Sequence, residues 1–190
     1  MHVALRQAYI SNPIVLGMFI YELLVLSVVF WIGRIRGWSF AKLGFQISWK
    51  WTGVGVLLFV VSEAVAHGLF RVLAHVIHSE AGTVGLLAGG LTLPFIILNS
   101  ITNPVFEEVF EAGYFIHSLQ RFGMWPAVLA SALFRAFLHA HLGVNGQLCV
   151  FVLGVIFGLT YWRWRQLWPL IFAHSLVDFI GKLYLSHHAA

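Results

Sequence analysis

Charged residues are scarce in this chain, and their scarcity excludes most soluble folds. Only 9% of its 190 residues are Asp, Glu, Lys or Arg, whereas 60% are hydrophobic. A soluble domain carries about 25% charged and about 45–50% apolar residues. The sequence therefore predicts a single integral membrane domain over residues 1–190, with no sizeable soluble domain.

Cysteines and basic clusters are also scarce. The single cysteine, Cys149, excludes an intramolecular disulfide framework and a four-cysteine zinc site, and we expect it to be a buried, small apolar residue. The basic residues are dispersed near the ends of apolar segments, as in proteins of the lipid bilayer, and form no patch for nucleic acid. No cleavage-site pattern follows the first apolar run, so we expect that run to stay as an anchor.

Apolar segments fill most of the remaining sequence. A spanning helix needs about 20 mostly apolar residues, and the candidates are 13–33, 52–77, 84–101, 104–120, 125–142, 147–162 and 167–186. We expect an all-α polytopic transmembrane bundle of about six to eight membrane helices, with its site in the bundle core. A turn is predicted at 78–83, and Asn103-Pro104 is predicted to begin the fourth helix, because proline suits a first turn.

Positive charge should mark the cytoplasmic side of the bundle. The loop 34–50 and the loop that carries Arg163 and Arg165 are both basic. Strict alternation of all the candidate segments would put these two loops on opposite sides of the membrane. We therefore expect the short, polar segment 104–120 to cross only partially, which is tolerated where a segment lines a wet cavity.

A cluster of carboxylates stands out against this apolar background. Glu107, Glu108 and Glu111 make up three of the seven acidic residues and lie within about one helical turn. A charge at the centre of a bilayer costs roughly 2.5–3.5 kcal/mol on insertion scales. Such a cluster indicates chemistry rather than packing.

Two further apolar segments carry polar pairs at helical spacing. Arg135 and His139 are four residues apart, as are His174 and Asp178, so each pair shares one helical face. His141 follows two residues after His139 and should face elsewhere. The carboxylate cluster and these two pairs form three polar stripes. Helix bundles build sites from such facing side chains, so we expect the three polar stripes to converge.

The order and spacing of these stripes resemble the CPBP intramembrane proteases, also called the type II CAAX prenyl protease family or glutamic-type intramembrane endopeptidases. The family's motifs are Glu-Glu-x-x-x-Arg, Phe-x-x-x-His and His-x-x-x-Asn/Asp. Residues 99–181 carry the corresponding Glu107-Glu108, then His139, then His174 with Asp178.

Two positions depart from this family pattern. Ala112 replaces the arginine of the first motif, and Arg135 replaces the phenylalanine of the second. A buried carboxylate with no partner is costly. We therefore expect Arg135 to supply the missing cation by pairing with Glu108 or Glu111.

The resemblance implies peptide hydrolysis without a covalent intermediate, and we favour a metal-free site over a metal site. Glu107 and His139 would hold and deprotonate a water, and His174 would donate to the oxyanion. Asp178 would orient His174 or stay protonated, and Glu108 would support the site. Arg135 and Glu111 are further supporting candidates, although the family pattern gives Glu111 no role.

The implied substrate is a peptide or protein, lipidated ones included, cleaved at the bilayer of a bacterial inner (plasma) membrane. The family's processes include CAAX-type processing and bacteriocin maturation or self-immunity, and nothing in the residues chooses between them.

Three alternatives remain open at the level of the sequence. Two histidines and a carboxylate also suit catalytic zinc, which makes Glu107, His139 and His174 a metalloprotease alternative, although the chain lacks His-Glu-x-x-His. The missing arginine at 112 suits a catalytically silent scaffold of the same fold. Intramembrane Glu, His and Arg also mark small proton-coupled transporters, although no internal repeat is evident.

A second polar stripe lies outside the resemblance. Segment 52–77 carries polar residues at intervals of four, namely Glu63, His67, Arg71 and His75. We expect this face to point into the bundle or a wet groove, either as a polar seam paired across helices or as a water path toward Glu107. Glu22 on the first segment is expected to pack against the same seam.

Overall fold

The computed structural model describes residues 11–37, 39, 42–77 and 91–188. Within these residues all regular structure is helical, which confirms the predicted all-α class. The helices are α1 (Asn12–Ile35), α2 (Trp49–Ile77), α3 (Leu93–Glu107), the single turn α4 (His117–Leu119), α5 (Met124–Leu138), α6 (Gly143–Trp164) and α7 (Trp168–His188). A π-helical stretch, Glu108–Ile116, joins α3 to α4, and short 3₁₀ turns lie at Gln120–Phe122 and Ala140–Leu142.

Three of the described helical stretches are long and apolar enough to cross a membrane. They are Asn12–Ile35, Trp49–Leu73 and Ala140–Trp164, and Met124–Leu138 is a shorter apolar helix. Their outer faces carry large apolar side chains such as Leu24 and Trp31, which suits contact with lipid. The structure thus supports a membrane protein, with fewer obvious spans than the about six to eight expected from apolar segments.

The segments predicted as 84–101 and 104–120 do not form two helices. α3 runs through Pro104 and continues without interruption into the π-helical stretch. Proline removes one backbone donor and crowds the preceding turn, but apolar helices tolerate it where neighbouring helices pack around it. Pro104 is fully buried in this way. Residues 84–90 and the turn predicted at 78–83 lie outside the described residues.

The two basic loops meet at one end of the bundle. The backbone N–H of Leu167 donates to the carbonyl of Gly44 at 2.9 Å, and the Tyr161 hydroxyl donates to the Leu43 carbonyl at 3.3 Å. Gly44 has a φ of +76°, and a Cβ there would lie 1.8 Å from the Arg165 carbonyl oxygen. Only glycine fits such a contact. The predicted segments 84–101 and 104–120 contribute to one continuous helical stretch, so the chain has one segment fewer between the two basic loops. Strict alternation then puts both loops on the same side, and a partial crossing of 104–120 is not needed.

Close contact between α5 and α6 sets the position of the central helices. A Cβ on Gly154 would lie 3.0 Å from the Ala132 Cα, and one on Gly158 would lie 2.9 Å from the Val128 Cγ1. Small residues at this spacing let apolar helices approach. The Ser131 hydroxyl also donates to the Glu111 carbonyl at 2.9 Å. The glycine contacts hold α5 against α6, and the Ser131 hydrogen bond holds α5 against the carboxylate-bearing stretch.

The polar stripe of α2 does not point into the bundle, which was one of the two expectations for it. His67 and Arg71 instead line an open groove together with Cys149 of α6. The His67 side chain is 70% exposed, and it pairs with Glu63 of its own helix at 3.5 Å rather than across helices. Arg71 and His75 are exposed as well. Small and apolar residues on a different face allow the close approach to α7, and these buried positions are Gly55, Leu58 and Ser62.

Glu22 is buried, but its surroundings differ from those predicted. Because α1 packs on α3, the Glu22 side chain lies beside Thr102 of α3 rather than against the α2 stripe. Its exposure is 3%. Cys149 is buried, as expected.

Candidate active site

The three polar stripes, on α3, α5 and α7, converge on one cavity of about 350 Å³ that residues of α1, α2 and α6 also line. Glu107, His139, His174 and Asp178 all line it. His141 lines it too, contrary to the expectation that it faces elsewhere. The reason is local: α5 ends at Leu138 and the chain enters a 3₁₀ turn, so helical spacing no longer applies.

Glu107 and Glu108 are neighbours in sequence but face different surroundings. Successive helical residues point about 100° apart. The Glu107 side chain reaches the cavity with 14% of its surface exposed, whereas Glu108 is fully buried against α5 and α7. The double glutamate therefore places one carboxylate on the cavity wall and one behind it.

Arg135 contacts the carboxylates that the sequence suggested for it. Its Nη2 donates to Glu108 Oε1 at 2.8 Å, and its Nε lies 2.5 Å from Glu111 Oε2. Its Nη1 lies 3.9 Å from Glu107 Oε2. The guanidinium also lies over the ring of Phe157, with 5.6 Å from Cζ to the ring centroid. A buried cation from α5 thus stands beside all three carboxylates of the cluster.

Glu108 holds His174 in place. The His174 Nδ1 donates to Glu108 Oε1 at 2.8 Å, whereas Nε2 lies 3.7 Å from Asp178 Oδ1. Asp178 is instead paired through Oδ2 with Lys182, one turn further along α7. Glu108, rather than Asp178, is therefore the carboxylate in direct hydrogen-bond contact with His174.

His139 caps the end of α5 and presents one ring nitrogen to the cavity. Its Nδ1 lies 2.9 Å from the Arg135 carbonyl oxygen. A carbonyl can only accept, so Nδ1 carries the proton and Nε2 keeps a lone pair in the neutral ring. The rings of His139 and His141 stack with their centroids 5.7 Å apart.

Glu107 has one hydrogen-bonded carboxylate oxygen and one without a hydrogen bond among the described residues. Asn103 Nδ2 donates to its Oε1 at 3.0 Å. Its Oε2 lies 3.9 Å from His174 Nε2 and accepts no hydrogen bond from the described residues. Sequence reasoning missed Asn103 and Lys182 as site residues. The signal was available, since each lies four residues from an acidic site residue, which is the spacing that identified the other pairs.

The zinc alternative assigns Glu107, His139 and His174 to one metal ion. Across the described part of the chain, no group of three His, Cys, Asp or Glu side chains is arranged to hold a metal ion. Glu107, His139 and His174 line one cavity without meeting that arrangement.

About half of the chain matches one family of known proteins. Residues 88–180 match the family model described as Type II CAAX prenyl endopeptidase Rce1-like. No curated protein and no solved structure is significantly similar to the chain. The matched range closely follows the motif-bearing range 99–181 and contains Glu107, His139 and His174. This match supports the resemblance to the CPBP/CAAX protease family that the motifs indicated.

Proposed function

We propose that this protein is an intramembrane endopeptidase in which Glu107 and His139 activate a water for attack on a peptide bond. The observation that carries the proposal is the single cavity lined by Glu107, His139 and His174. The family match supports a peptide or protein as the substrate. The same residues in separate cavities would not support hydrolysis.

Water activation uses two acceptors that belong to residues lining the cavity. Glu107 Oε2 receives no hydrogen bond from the described residues, and His139 Nε2 keeps its lone pair. Both can accept a hydrogen bond from one water, and one of them takes its proton as the oxygen attacks the scissile carbonyl. The proton then passes to the leaving amine, which balances the step without a covalent intermediate.

His174 is suited to stabilise the oxyanion that forms. Glu108 fixes the ring through Nδ1, so Nε2 lies between the two carboxylates, 3.7 Å from Asp178 Oδ1 and 3.9 Å from Glu107 Oε2. When both ring nitrogens are protonated, Nε2 is a donor. A fixed donor aimed at developing charge lowers the barrier more than one that must reorient.

Arg135 favours an active site over a silent scaffold. The scaffold alternative rested on Ala112, which removes the motif arginine. Arg135 brings a guanidinium to Glu108 from the neighbouring helix. The charge balance of the site is thereby kept, although the arginine stands at a different position in the sequence.

The cavity also bears on the substrate. Six apolar residues line it beside the polar ones, namely Met18, Leu142, Val150, Leu153, Phe157 and Val177. Such a wall suits an apolar or lipidated peptide at the bilayer. CAAX-type processing and bacteriocin maturation or self-immunity both supply such peptides, and we propose the bacterial inner (plasma) membrane as the location.

The proposal is tested by peptide turnover with purified protein in detergent, followed by mass spectrometry. Glu107→Gln and His174→Ala should each lose at least about 10²-fold in rate, as expected when a general base or a fixed oxyanion donor is removed. His187→Ala is the matched control, because His187 is an exposed histidine of the same helix. Full turnover by a folded Glu107→Gln protein would refute the mechanism, and Glu107-dependent proton flux without hydrolysis would favour the transporter alternative.

A further inference from the structure

The cavity extends beyond Glu107 along one face of α3. Asn99, Asn103 and Glu107 follow one another at intervals of four residues, and all of them line the cavity. Four helical residues span about 6 Å along the axis, so Asn99 lies about 12 Å from Glu107 in that direction. This polar row of α3 leads away from the site where the water would be activated.

The far end of the cavity contains buried polar atoms that lack partners. Asn99 is 2% exposed and Ser62 of α2 is 1% exposed. No described protein group hydrogen-bonds to Asn99 Nδ2 or Ser62 Oγ. Both residues line the cavity. Buried polar groups in proteins are nearly always hydrogen-bonded, so these atoms point to a ligand that pairs with them.

The charges around this end select the chemistry of that ligand. Asn99 and Ser62 are neutral, and the nearby cations are already paired, Lys182 with Asp178 and Arg135 with the buried glutamates. Because Asn99 and Ser62 offer no opposite charge, a neutral ligand group suits this end of the cavity. An amide and a hydroxyl match the carbonyl and N–H groups of a peptide main chain.

We propose that Asn99 and Ser62 form a main-chain subsite for the substrate peptide on one side of the scissile bond. The inference rests on the proposed function, because Glu107 marks where that bond would lie. An extended peptide rises about 3.3 Å per residue, so the subsite would hold the residue about three or four positions from the cleaved bond. Asn99 Nδ2 donates to a main-chain carbonyl there, and Ser62 Oγ pairs with a neighbouring main-chain group.

The test uses an apolar peptide cleaved by the wild-type protein, chosen from an equimolar library of ten-residue peptides. Nested truncations from each end are then compared in wild type, Asn99→Leu and Ser62→Ala. Each variant should lose about 3- to 10-fold in kcat/KM on the long peptide, the effect of one hydrogen bond, mainly through KM. When the peptide is shortened by four residues at the end that would occupy the subsite, neither variant should differ from wild type in kcat/KM.

Ser100→Ala is the matched control. Ser100 is adjacent to Asn99, equally buried and also without a hydrogen-bond partner among the described residues, but it does not line the cavity. Its variant should leave kcat/KM unchanged on every peptide. If Asn99→Leu does not fold, the smaller change Ser62→Ala still decides the question.

Binding separates this inference from the proposed function. The affinity of a fluorescently labelled long peptide is measured with Glu107→Gln alone and combined with Asn99→Leu. Cleavage by wild type with equal losses on long and short peptides, or with no loss, overturns the subsite and leaves the function standing. Binding that weakens with Asn99→Leu, in the absence of any cleavage by wild type, supports the subsite and overturns the function. No peptide binding by any form of the protein overturns both.

Discussion

Removing the charge of Arg135 should destabilise the fold strongly. In Arg135→Met, Glu108 and Glu111 would remain buried without the guanidinium that now lies 2.8 and 2.5 Å from them. Breaking a buried ion pair by removing one partner costs about 3–5 kcal/mol, because the remaining charge is left uncompensated. We expect a loss of at least about 3 kcal/mol in the free energy of unfolding, out of a typical total of about 5–15 kcal/mol.

The measurement is unfolding in mixed micelles of increasing SDS content, followed by tryptophan fluorescence, for which the chain offers eight tryptophans. Arg135→Lys should be intermediate, because one ammonium cannot contact both carboxylates as the guanidinium fork does. Adding Glu111→Gln to Arg135→Met should recover part of the loss by removing one uncompensated charge. Glu108 is unsuitable for this rescue because it also holds His174.

Arg121→Met is the control, because Arg121 is exposed and its removal should change stability by no more than about 0.5 kcal/mol. Arg135→Met within about 1 kcal/mol of wild type would refute the charge argument, since the buried glutamates would then need no cation. An equal loss in Arg135→Met and in its Glu111→Gln double variant would attribute the effect to packing instead.

Three further results are expected. Asn103→Leu should lower kcat about 10-fold with little change in KM, because Glu107 would lose the donor that fixes its Oε1; an unchanged kcat would show that Asn103 does not position Glu107. Gly154→Val should destabilise by about 1–3 kcal/mol in the SDS titration, since its side chain would meet Ala132. Gly53→Ala, with open space around its Cβ, should show no such loss. Peptide turnover should survive strong chelators, whereas activity lost to chelation and restored by zinc would favour the metalloprotease alternative.

Helical spacing in an apolar chain predicted the candidate site well. A carboxylate, histidine or arginine in such a chain needs a polar partner, and few are available. Residues four apart share a face, so each pair could be assigned to one side of its helix. These two constraints predicted that the stripes converge, and Glu107, His139 and His174 do line one cavity. The pairing of Arg135 with Glu108 or Glu111 was predicted only with the family resemblance, in which Ala112 replaces an arginine.

Other features could not be predicted because the sequence permits both outcomes. Pro104 suits a helix start as well as a packed helix interior, and only the surrounding helices decide between them. The spacing of the α2 stripe shows which residues share a face, but not which helix that face contacts. α7 packs instead on the face of α2 that carries small residues such as Gly55. The inward position of His141 depends on where α5 ends, and helix ends are poorly determined by sequence.

Hydrogen bonds that join the first loop and α2 to α6 and α7 have a consequence for the synthesis of the protein. Tyr161 and Leu43 are 118 residues apart, and Trp168 and Thr52 are 116 apart. The polypeptide emerges from the ribosome from its N-terminus onward. α1 and α2 are therefore made before α6 and α7, and these hydrogen bonds form only after the last helices have been made. His174 belongs to α7 and arrives in that same final step. The bundle and the candidate site would therefore be completed together, and a partly made chain would carry no assembled site into the membrane.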